Sequence, residues 1–124
     1  MNKHEFRAKD YLLHMQEAVD RILQYTAKVS EQEFVANQML QDAVVRNIEI
    51  IGEAAKNLLE AGPEFAAKYP SIPFGQICGM RNRVAHGYFA VSTAMVWDSV
   101  QIDIPELRQQ IVKVLSELQG DVSA

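Results

Sequence analysis

Apolar residues recur along this chain with a helical rhythm. Ala8, Leu12, Met15, Val19 and Ile22 alternate steps of four and three residues, the spacing of one buried stripe on a helix over residues 5–28. Leu40, Val44, Ile48, Ile51, Ala55 and Leu58 make a second stripe over residues 37–60, which Ala61-Gly62-Pro63 closes. A third runs through Val96, Val100, Ile104, Leu107, Ile111, Val114 and Leu118, with Ser92 placed to cap its helix. Pro105 interrupts that stripe and predicts a kink or break near residues 101–104. Between the stripes, Ser30-Glu31-Gln32-Glu33 is a capping box that opens a short helix or turn over residues 30–36. Residues 64–69 read as a short helix closed by Pro70, and residues 74–85 as a further helix. No segment shows the strict alternation of a half-buried strand. The expected fold is all-α, an up-down helical bundle of three long helices plus one or two short helices.

Composition narrows the class. The 124 residues are sized for a single domain, 1–124, and association with another chain is a common route to stability at that length. The chain is 48% hydrophobic and 23% charged, the balance of an ordinary soluble globular protein. Met1 through Arg7 contain no apolar signal region, and no run has the length of a membrane span, so a cytoplasmic protein is expected. Cys78 is the only cysteine, which excludes an intramolecular disulfide and suits a reducing compartment. Within Ile77-Cys78-Gly79-Met80 it reads as a small packed hydrophobe. His4 and His14 are about 15 Å apart by helical rise, too far for one ion. With no paired cysteines and no Glu-x-x-His pair, no metal site is expected. No glycine-rich phosphate loop appears, and no cofactor is expected. A net charge of −4 argues against a broadly basic nucleic-acid surface. Any RNA site has to be a local positive pocket on an acidic body.

One segment offers such a pocket: Arg81-Asn82-Arg83-Val84-Ala85-His86-Gly87-Tyr88, the pattern R-x4-H-x-Y. An arginine can hold a phosphate by a bidentate fork, and a histidine can move a proton near neutral pH. Asn82 and His86 are one helical turn apart and share a face. Taken alone, the same residues also admit a structural reading. Arg81 can be a surface ion-pair partner, His86 a cation at a helix C-terminus before the stop residue Gly87, and Tyr88 core. Arg46, Glu49 and Glu53 lie on one face of the second long helix. They form either a solvated charged stripe or a set in which Arg46 or Glu53 stands beside the motif and orients Arg81 or His86.

Several blocks beyond the motif resemble one family. Arg46 through Leu58, Tyr69-Pro70-Ser71-Ile72-Pro73-Phe74, Ile77 through Asn82, Ala85 through Phe89, and Val96-Trp97 are similar to HepT-like proteins of the HEPN superfamily, over roughly residues 10–118. The resemblance implies the toxin of a type VII-like toxin–antitoxin pair, a metal-independent endoribonuclease that cuts mRNA or tRNA. It implies Arg81 and His86 as catalytic residues, with Asn82 and Arg83 supporting them. It implies a homodimer through the motif face, and so four arginines in one cleft. It also implies an MntA-type nucleotidyltransferase antitoxin that adenylylates Tyr88. Ser92 stands where the family often has an acidic residue, and serine caps comparably. A different class stays open beside this one, a non-catalytic HEPN binding module that docks on and assists a nucleotidyltransferase.

Overall fold

The computed structural model of the chain describes residues 3–85 and 93–123, with side chains for 8–82 and 93–120. Among the described residues there are seven helices and no strand: α1 (Lys3–Thr26), α2 (Glu31–Ala36), α3 (Gln38–Ala61), α4 (Pro63–Lys68), α5 (Phe74–Ala85), α6 (Thr93–Gln101) and α7 (Asp103–Ser123). The all-α architecture with three long helices, α1, α3 and α7, is the expected one. Four shorter helices accompany them. α2, α4 and α5 fall where residues 30–36, 64–69 and 74–85 read as helical, and the break before Pro105 separates α6 from α7, so the count exceeds the one or two short helices expected.

Ser30 starts α2. The Glu33 N–H donates to the Ser30 Oγ at 3.1 Å, and that hydroxyl donates on to Glu33 Oε1 at 3.2 Å. The carboxylate thus meets the capping side chain. Asn37 serves two helices at once. Its N–H donates to Phe34 O at the end of α2, and its Oδ1 accepts from Leu40 N–H at the start of α3. At the far end of α3, Gly62 has a φ of −144°, outside the left-handed region. The stop comes instead from Pro63, the first residue of α4, which biases the residue before it away from helical geometry. Pro105 produces a break. α6 ends at Gln101, exposed Ile102 makes the turn, and Pro105 lies in the first turn of α7, where no helical N–H partner is needed. Ser92, the expected cap of the last stripe, lies outside the described residues.

The three stripes face one core. Ala8, Leu12, Met15, Val19 and Ile22 of α1 are all buried, as are Val44, Ile48, Ile51, Ala55 and Leu58 of α3. Val96, Val100, Ile104, Leu107, Ile111 and Val114 join them from α6 and α7. α3 is central, packing on α1 along one side and on α5 along another. Its burial is correspondingly wide and includes Asn47, Gly52 and Ala54 off the main stripe. Asn47 is satisfied: it accepts from Arg21 Nε at 2.7 Å and donates to Ala43 O at 2.8 Å. An exposed ion pair, Arg108 to Asp20 at 2.9 Å, links α7 to α1 and contributes little. Among the described residues no helix is long and apolar enough to cross a membrane.

Short α2 is held mainly by Phe34, which is fully buried with its ring centroid 5.3 Å from that of Trp97 on α6. Phe34→Ala is expected to cost about 3–5 kcal/mol, seen as a lower urea midpoint. Val35→Ala, one residue on and half exposed, should change the midpoint little.

Candidate active site

Helix α5 lays Phe74, Ile77 and Cys78 against the core, and Arg81 takes the next position on the same stripe. A cation is tolerated there because the facing position on α3 is Gly52. A Cβ on Gly52 would overlap Cβ and Cγ of Arg81 and lie 3.4 Å from its Cα. The arginine stem therefore fills the notch that the missing side chain leaves. Beyond the notch the guanidinium emerges at the edge of the two helices. Its Nη2 lies 3.1 Å from Glu53 Oε2, with the side chains 30% and 50% exposed. Its Nη1 donates to Asn82 Oδ1 at 3.3 Å. Its Nε is buried and has no hydrogen-bond partner among the described residues. An orphaned donor of this kind costs about 1–3 kcal/mol, which the packing of the stem has to offset.

Cys78 lies one turn before Arg81, half-buried, with Sγ 4.0 Å from the Gly52 carbonyl oxygen. Burial pushes its thiol above the ordinary range, and the nearby Arg81 and Lys56 cations partly oppose this. It behaves as the packed small residue that its apolar neighbours suggested. On the charged face of α3, Glu53 contacts Arg81, whereas Arg46 and Glu49 form no ion pair among the described residues. His14 is exposed on α1. Among the described residues no three His, Cys, Asp or Glu side chains gather as a metal would require. A groove of about 600 Å³ runs between α3, α5 and α7, floored by Ile48, Ile51, Ile77 and Leu107; Arg81, Asn82 and Glu53 do not line it.

The model of the family described as "Ribonuclease HepT-like" matches residues 15–114. The chain belongs to the HepT-like family. A Methanocaldococcus jannaschii protein named as a gamma-glutamylcyclotransferase and "putative RNase" is 43% identical over 110 residues, covering 89% of this chain and 48% of its own length. This chain thus spans about half of that relative. A second M. jannaschii protein, named "Putative RNase", is 35% identical over 112 residues, covering 90% of each chain. A "Probable ribonuclease HepT" of Thermococcus cleftensis is 36% identical over 106 residues, covering 86% of this chain and 94% of that one. No solved structure gives a significant match.

Of the residues singled out from the HepT-like motif, the structure brings Arg81 and Asn82 together and adds Glu53. Arg83 lies in α5, with its side chain outside the described residues, and His86 and Tyr88 lie outside them altogether. Sequence reasoning gave Gly52 no role. Its signal was a glycine in the interior of an otherwise regular helix, where it costs about 1 kcal/mol relative to alanine and asks for a packing reason.

Two expectations follow from this packing. Gly52→Ala gains about 1 kcal/mol of helix propensity but meets atoms next to the α5 backbone, a misfit of about 1–3 kcal/mol. Its urea midpoint should fall, and the double variant with Arg81→Gly should lose less than the two single losses combined. For Cys78, burial disfavours the thiolate, so its alkylation rate should rise with a midpoint above that of a free cysteine thiol. Arg81→Ala removes a cation that favours the thiolate and should move that midpoint higher still.

Proposed function

We propose that this chain is a metal-independent endoribonuclease, the toxin of a type VII-like toxin–antitoxin pair. The observation that carries the proposal is an arginine fork held at the edge of α3 and α5, at the start of the R-x4-H-x-Y pattern of a HepT-like chain. Arg81 binds the scissile phosphate and stabilises the charge that builds on its oxygens. His86 takes the proton of the neighbouring ribose 2′-OH as that oxygen attacks phosphorus. The bond to the 5′-oxygen breaks, the leaving oxygen takes up a proton, and a 2′,3′-cyclic phosphate remains. Asn82 and Arg83 support binding. Arginine and histidine supply both charge stabilisation and proton transfer, so the reaction requires no metal. A 2′-OH nucleophile restricts the substrate to RNA, with mRNA and tRNA as the substrate classes.

The acidic chain needs its positive charge concentrated. A homodimer through the motif face does this by joining two copies of Arg81 and Arg83 in one cleft. Neutralisation works through the same charges. An MntA-type nucleotidyltransferase that adenylylates Tyr88 adds a phosphate two residues from His86, where it competes for Arg81 and blocks the pocket.

The purified chain is expected to cleave RNA in EDTA and leave cyclic phosphate ends. Arg81→Ala and His86→Ala should each lower the rate by roughly 10²-fold or more. Tyr88→Phe should still cleave but escape neutralisation by the transferase, read by intact mass. No cleavage by unmodified protein would instead favour a non-catalytic module that docks on a nucleotidyltransferase.

A further inference from the structure

We propose that Glu53 is a positioning residue that fixes the Arg81 guanidinium for the scissile phosphate, an inference that rests on the ribonuclease reading above. The stem of Arg81 is already immobilised where it crosses Gly52, and its Nε is buried with no partner among the described residues. The inner edge of the fork is therefore closed to a ligand, and a phosphate has to be met by the terminal nitrogens. Among the described residues Nη2 forms an ion pair with Glu53 Oε2 at 3.1 Å, and Nη1 donates to Asn82 Oδ1 at 3.3 Å. Each carries two hydrogens, so among the described residues hydrogens remain for an incoming oxygen. Asn82 is the neighbour of Arg81 on α5 and moves with it. Glu53 stands on α3, so its carboxylate ties the fork to the central helix of the bundle.

The opposite role, a gate that withholds Arg81 from substrate, is disfavoured by magnitude. Glu53 is half exposed, and an exposed ion pair shifts an equilibrium by less than about tenfold. That is too little to exclude a phosphodiester, yet enough to select one orientation of a side chain whose stem is already fixed. Misplacing a reactive group by about 1 Å can cost up to roughly a hundredfold in rate.

The test compares wild type, Glu53→Gln, Glu53→Ala and Arg81→Ala for RNA cleavage. It also measures affinity for a 2′-O-methyl copy of the same RNA, which cannot be cut. Glu53→Ala should lower kcat several-fold, by less than about tenfold. Glu53→Gln, which keeps an oxygen acceptor for Nη2, should lose less. Affinity for the uncut copy should stay the same or tighten, because a negative charge beside the site has gone. A merely structural role would not lower kcat while leaving affinity intact. Urea midpoints of both Glu53 variants should match wild type, given the exposure of the pair. Unchanged or raised kcat in Glu53→Ala, or a loss confined to affinity, overturns the proposal while cleavage by wild type and not by Arg81→Ala leaves the ribonuclease reading standing. Absence of cleavage by wild type removes both.

Discussion

Helix α5 can carry a cation on its buried stripe only because α3 lacks a Cβ at Gly52. The close approach sets the spacing of the two helices, and that spacing delivers the Arg81 guanidinium to the bundle edge with its stem fixed. The α3–α5 contact accordingly has two uses. Phe74, Ile77 and Cys78 supply apolar burial, while Arg81 continues the same face as a charged tip. An arginine held along its aliphatic length has already lost most of its rotamer freedom, so less is lost when it engages a phosphate.

The electrostatic design is local. With a net charge of −4, the chain cannot attract RNA over its whole surface. A single oriented fork, with a carboxylate and an amide on its terminal nitrogens, gives direction where bulk charge is lacking. Family membership rests on a match over residues 15–114 and on relatives named as ribonucleases. In the proposed ribonuclease reaction, the Arg81 environment is the point of action.

Much of the fold was legible in the sequence because stripes of period 3.6 dictate which face is buried. The five positions from Ala8 to Ile22 and the run from Val96 to Val114 are all buried as their spacing implies. Pro105 announced an interruption, and its place in the first turn of α7 makes that a break at Ile102. The number of short helices was less legible, because each depends on a single cap such as Asn37 or a single proline such as Pro63. The site was legible only in part. R-x4-H-x-Y is a local pattern, but the roles of Gly52 and Glu53 arise from packing between helices distant in sequence. Arg46, Glu49 and Glu53 share a face of α3, and only the crossing of α3 and α5 selects Glu53 as the partner of Arg81.

In the proposed reaction Arg81 acts as an oriented fork and not merely as a positive charge. Cleavage of a defined RNA by Arg81→Lys tests it most directly. Lysine keeps the charge and an aliphatic stem over Gly52, but it cannot present two terminal nitrogens to a phosphate while a third sits buried. Wild-type cleavage, retained folding of Arg81→Lys and a rate for that variant lowered by roughly 10²-fold are expected. Cleavage by Arg81→Lys at the wild-type rate would contradict it.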